Sequence, residues 1–164
     1  DTEHKLGETP IPGDLLKVYR TIDTDSHLAY TGQSSFKYIP INEDVKLNLG
    51  PVADVVVEPK LMDFATENYR FDRIGNVAGW DEVRTFSVEI RNTRDIPIKV
   101  EIKRNFGTQY WTLRNTGEPG RFEKEDYDTV KYTLELQPRS QRQFGYVLRT
   151  FRGSRQSDWR PTLQ

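Results

Sequence analysis

Two histidines, a cluster of carboxylates, a few tryptophans and an arginine-rich end are the side chains here whose chemistry reaches beyond packing. A nucleophilic serine needs a histidine base held beside it and oriented by a carboxylate. His4 lies in an extended lead-in and His27 beside a turn, and no G-x-S-x-G turn occurs, so both are read as surface residues. Asp23-Thr24-Asp25-Ser26 invites a calcium reading. An EF-hand loop counted from Asp23 would want Gly and Glu where Leu28 and Ser34 stand, so a hairpin turn capped by Asp side chains is the better account. Glu118, Glu123, Glu125, Asp126 and Asp128 gather around Arg121 and Lys124. Carboxylate pairs can hydrolyse glycosides or hold a hard cation, but a solvated loop between strands is the commoner outcome of such a run.

Trp80, Tyr110 and Trp111 are the aromatics of most interest. Exposed together on one face, they would stack on a sugar or anchor a partner. Buried, Trp111 would pack between sheets and Trp80 would cover one end of a core. Toward the C-terminus, Arg149, Arg152, Arg155 and Arg160 interleave with Phe151 and Trp159. That pattern can bind single-stranded nucleic acid. Asp158 interrupts it, however, and 24 basic residues against 25 acidic leave no field to draw a polyanion.

The bulk numbers narrow the classes further. A chain of 164 residues suits one domain with its own core. Apolar content is low at 35%, but eight Phe, eight Tyr and three Trp supply large buried areas that a disordered chain would lack. There is no cysteine, hence no disulfide and no thiolate metal site. No stretch approaches the roughly 20 apolar residues of a spanning helix, so direct membrane insertion is not expected. Phosphate loops, zinc-helix motifs and dinucleotide fingerprints are missing, and no catalytic, metal or cofactor residue is assigned. The chain opens on Asp1 without the charged and apolar regions of a signal peptide, which reads as a piece of a longer protein.

Any site must be positioned by strands, because the dominant period is two. Phe86, Val88 and Ile90 alternate with Ser87 and Glu89. After a polar break at 92–95, Ile96, Ile98, Val100 and Ile102 alternate with Lys99, Glu101 and Lys103, which reads as a hairpin. Val130, Tyr132, Leu134 and Leu136, then Phe144, Tyr146 and Leu148, repeat the pattern around a turn at 137–140. Upstream, Leu16 and Val18 mark a strand turning at 23–26 into 28–31, and Val45, Leu47 and Leu49 mark another. The valine-rich segment 54–61 contains Pro59, which places it at a sheet edge or ends it there. The stretch 72–80 reads as an irregular loop. About nine to ten strands and no helix predict an all-β antiparallel sandwich of immunoglobulin/fibronectin-like type. Its expected parts are a lead-in over 1–14, the sandwich over 15–151 and a loosely held tail over 152–164.

Three stretches carry a family resemblance: 5–13 leading into the strand at Leu15, the segment 47–56, and 86–92 followed by a short turn and Pro97. Together they resemble domain-of-unknown-function family 4139, a bacterial C-terminal domain related to the mucoidy inhibitor A proteins, over about residues 6–149. The resemblance implies a β-sandwich at the end of a longer bacterial protein and brings no catalytic residue with it. The expectation is a non-catalytic module for structure or protein–protein contact, its partner another domain of the parent or a separate protein. No compartment is assigned, the cell envelope being slightly favoured. The alternatives are a carbohydrate-binding module using Trp80, Tyr110 and Trp111, and a hydrolase built on the acidic cluster.

Overall fold

The computed structural model describes residues 8–21, 28–43 and 45–160, which fall into two units, Asp1–Val52 and Ala53–Gln164. His4, His27 and the turn at 23–26 lie outside the described residues.

In the first unit, β1 (Asp14–Thr21) and β2 (Leu28–Phe36) pair antiparallel, with a register shift between Val18 and Tyr19. Tyr19 and Tyr30 meet edge to face at 5.6 Å. An isolated bridge joins Ile11 to Ile39. The expected strand through Val45, Leu47 and Leu49 does not form. Its chain instead crosses Gly32, where a Cβ would stand 2.7 Å from the Leu49 carbonyl oxygen, and turns where Asn48 Oδ1 accepts the Gly50 N–H. Alternation needs a ladder partner to become a strand, and this segment lies over the hairpin instead of beside it.

The second unit is the sandwich. β3 (Val55–Phe71), β4 (Val77–Asn92), β9 (Gln141–Gly153) and β6 (Trp111–Gly117) form an antiparallel sheet in the order β3-β4-β9-β6. β5 (Ile98–Asn105), β8 (Thr129–Leu136) and β7 (Arg121–Lys124) form a second, in the order β5-β8-β7. Val88 and Ile90 of β4, the four apolar residues of β8, and Phe144, Tyr146 and Leu148 of β9 make the buried core. Ile98, Val100, Ile102, Trp111, Leu113 and Phe122 close its margin. Every contributor sits at an alternate position of its strand, so one face of each sheet is apolar and the two faces meet. Full burial of such a side chain is worth about 1.5–3 kcal/mol. The Tyr132 ring packs 4.9 Å from Phe144 and 6.0 Å from Tyr146. Burial pushes both phenols up, and the two polar tips are satisfied: Tyr132 donates to Asn115 Oδ1 and Tyr146 accepts from Arg104 Nε.

The chain is thus all-β and antiparallel, with nine strands among the described residues. The expected hairpin over 83–103 is corrected. β4 pairs with β3 and β9, whereas β5 pairs with β8 in the opposite sheet. Two half-apolar strands can hide their faces across a core as well as side by side, so alternation alone does not choose between them. The polar break is a corner between sheets. Buried Asn92 holds it, donating from Nδ2 to the carbonyls of Ile96 and Gln137 at 2.9 Å each and accepting the Arg94 N–H.

The irregular stretch expected over 72–80 shrinks to a tight turn, and β4 already begins at Val77 and includes Trp80. Asp72 Oδ1 accepts the N–H groups of Ile74 and Asn76 at 2.9 Å, and Gly75 takes a φ of 87°. These bonds, that of Asn76 foremost, hold the Asp72 carboxyl below its ordinary range. The C-terminal stretch expected to be loosely held extends β9 to Gly153 and then forms a 3-10 helix, Ser154–Asp158. Among the described residues no helix is long and apolar enough to cross a membrane.

Candidate functional site

β3 sits at the edge of its sheet, as Pro59 foretold, but runs through that proline for 17 residues. Its register with β4 sets Val57 against Ile90, Pro59 against Val88 and Leu61 against Phe86. Met62 is skipped at a register shift, after which Phe64 lies opposite Arg84. Val57, Pro59, Leu61 and Phe64 therefore continue the apolar inner face of the larger sheet. The smaller sheet does not reach them. Arg104 of β5 lies over Phe86 of β4, and nothing in that sheet lies beyond β5. Leu61 is consequently 54% exposed and Phe64 51%, with the Arg84 guanidinium 5.5 Å from the Phe64 ring. Farther along the same ribbon, Phe71 and Ile74 are 64% and 84% exposed around the turn. Leu61 and Phe64 thus forgo about half of the ~1.5–3 kcal/mol each would contribute in a core. Contiguous exposed apolar surface of this kind marks interaction sites.

The free edge of β3 is guarded in a different way from its face. Pro59 has no N–H to donate, the register shifts at Leu61/Asp63, Glu67/Arg70 and Arg70/Phe71, and Glu58, Lys60, Asp63 and Glu67 carry charge. Prolines, bulges and charges are the devices that keep a sheet edge from pairing with another chain.

The far end of the ribbon is clamped by a buried carboxylate. Asp81 points to the outer face of β4 and is 0% exposed. Asn68, in the left-handed conformation at φ 53°, donates to it at 2.8 Å. Arg149 of β9 donates at 2.9 Å, and Arg155 donates through Nε and Nη2, each at 2.9 Å. Burial alone would raise the Asp81 carboxyl, but these donors and the Arg155 charge outweigh it and hold the group below its ordinary value. Three of these bonds converge on Oδ2 and one reaches Oδ1, so the buried Asp81 carboxylate is held by two guanidinium groups and an amide as a structural anchor. Through Arg155, and through Arg70 paired with Asp158, the 3-10 helix is fixed to the ribbon. Gly79 permits the fit: a Cβ there would stand 2.6 Å from the Arg155 backbone nitrogen.

The aromatics picked out by sequence are placed apart in role. Trp111 packs at the core margin, its ring 4.9 Å from Phe106, with Nε1 donating to the Tyr127 carbonyl and Lys124 over its face. Tyr110 meets Trp159 edge-on at 5.7 Å, and Trp159 Nε1 donates to the Trp111 carbonyl. Trp80 is half-buried on β4, opposite Arg152 of β9. The acidic cluster is dispersed by its own partners. Glu123 pairs with Lys131 and Arg121, Glu125 with Lys103, and Asp128 accepts from Asn105 and Thr129. The Lys131 bond holds the Glu123 carboxyl low, and the Asp128 N–H does the same for Asp126. No group of three His, Cys, Asp or Glu side chains among the described residues could hold a metal ion. In the arginine-rich end, Arg149 and Arg155 are the Asp81 partners, Arg152 bonds Glu82, and Arg160 donates to backbone carbonyls. Sequence reasoning missed Asp81 and the uncovered face of β3. An Asp-Glu pair two residues after Gly79, and the arginines at 149 and 155 far downstream, are the traces of the clamp in the sequence.

No family model matches the chain, and no match to it is found among the curated proteins or the solved structures.

Proposed function

We propose that the chain is a non-catalytic, immunoglobulin/fibronectin-like β-sandwich module of a larger bacterial protein, akin to the family-4139 domains, that makes protein–protein contact through the β3–β4 ribbon. The carrying observation is the row Val57, Leu61 and Phe64, an inner sheet face left in solvent on a strand whose edge is guarded. The Asp81 clamp supports the same reading, because it holds the ribbon rigid at its far end and a preorganised surface loses less entropy on binding. The partner is another domain of the parent or a separate protein. Photo-reactive residues at Met62 and Phe71 of the parent protein test it. The expected result is a saturable adduct with one identified polypeptide, or an internal cross-link, that Lys131 positions on the smaller sheet do not give. Absence of any such adduct, or turnover in a broad hydrolase screen, would overturn the reading.

A further inference from the structure

We propose that the slot between the free edge of β5 and the overhanging face of β3 takes an extended segment of another polypeptide as a fourth strand of the smaller sheet. This deepens the contact-module reading and rests on it. Four strands face three, and the missing position is the one over β3, beyond β5.

The edge of β5 is open and regular. Phe106 N–H donates to the Asp128 carbonyl, and the same pairing continues down the ladder at Arg104/Val130, Ile102/Tyr132 and Val100/Leu134. Hydrogen-bonded pairs alternate in an antiparallel ladder, so the N–H and C=O groups of Lys99, Glu101 and Lys103 point to the unpaired side. From Ile98 to Asn105 the strand has no proline and no register shift, in contrast to β3. Such an edge is a template for strand addition.

The chemistry of the incoming strand follows from its two surroundings. Inward, it would lie beside Ile98, Val100 and Ile102 and above Val57, Leu61 and Phe64, which require apolar side chains at alternate positions. Outward, it would lie opposite Lys99, Glu101 and Lys103, and opposite charges stabilise directly paired positions. Lys99 and Glu101 make no ion pair among the described residues, whereas Lys103 already pairs with Glu125. The matching segment reads apolar-acidic-apolar-basic-apolar-acidic-apolar. A second copy of β3 does not fit, because Pro59 and the three shifts break its edge.

The probe is the peptide Val-Glu-Val-Lys-Val-Glu-Val, which presents the same charges in either direction, added to the full 164-residue chain. At saturation, hydrogen exchange at Lys99, Glu101 and Lys103 is expected to slow about tenfold or more, and the charge-inverted peptide to bind about fivefold or more weakly. Glu101→Pro removes an amide that β8 does not use, so it keeps the fold and is expected to weaken binding about tenfold. No protection at these three amides, equal binding of the inverted peptide, or a dimer of the chain seated on β5 would each overturn the slot. If the slot fails while Met62 and Phe71 still cross-link, the contact-module reading stands without it; loss of those cross-links removes that reading itself.

Discussion

The Arg104 guanidinium lies 5.5 Å above the ring of Phe86. The contact joins β5 to β4 across the core, and its Nε also donates to the Tyr146 hydroxyl. It places β5, the outermost strand of the smaller sheet, over β4. β3, one strand further out, stays uncovered. The open face and the proposed slot both follow from this offset between the sheets.

Substitution on the uncovered face is expected to leave the fold intact. Leu61→Glu and Phe64→Glu should change unfolding free energy by no more than about 0.5 kcal/mol, as for ordinary surface positions. Tyr132→Ala, which empties the centre of the core, should cost about 3–5 kcal/mol. Urea unfolding of the three variants checks the contrast.

Asp81→Asn removes the countercharge of two arginines, and loss of one partner of a buried pair costs about 3 kcal/mol. The Asp81 carboxyl is held below 3.8 in the folded chain, so it releases its proton more readily there than when unfolded. Its stabilisation is complete above about pH 5 and is lost as pH falls through the lowered value. Unfolding midpoints of wild type and variant should therefore differ at pH 7 and converge in strong acid.

Gly79→Ala drives a methyl group against the backbone of Arg155 and Arg152, neither of which can swing away as a side chain would. The 3-10 helix should lift from the ribbon, with a loss of about 1–3 kcal/mol. Fluorescence of Trp159, which bonds the Trp111 carbonyl next to that helix, should shift with it.

Asn92→Leu leaves the carbonyls of Ile96 and Gln137 and the N–H of Arg94 without their partner at a buried corner. Unfolding measurements should show a loss of about 2–3 kcal/mol. The β4–β5 corner, which orients the two sheets, should be the first place to gain hydrogen exchange.

The strands are legible in the sequence because a half-buried strand must alternate, and Phe86, Val88, Ile90 and Ile98, Val100, Ile102 do so without interruption. Their pairing is not legible, since the same alternation serves neighbours in a ladder and opponents across a core. Pro59 marks the edge, because a missing donor is tolerated only there. What lies beyond that edge is hidden. Leu61 and Phe64 look like core residues until the opposite sheet is known to have three strands against four, with β5 over β4 and no strand over β3. The Asp81 clamp is hidden for a related reason, as it joins β3, β4, β9 and the final helix across separations of up to 74 residues. Trp80, Tyr110 and Trp111 carried the sequence signal for a binding face, yet Trp111 and Tyr110 are engaged by Phe106 and Trp159.

The uncovered face can be read directly, because the chain has no cysteine to interfere. Leu61→Cys and Phe64→Cys should react with a thiol reagent under native conditions at close to the rate of an unstructured thiol, while Ile90→Cys, buried on the same face of the neighbouring strand β4, reacts only on unfolding. Protection of Cys at 61 and 64 equal to that at 90 would mean that the face is covered within the chain itself, and a contact surface on β3 would be contradicted.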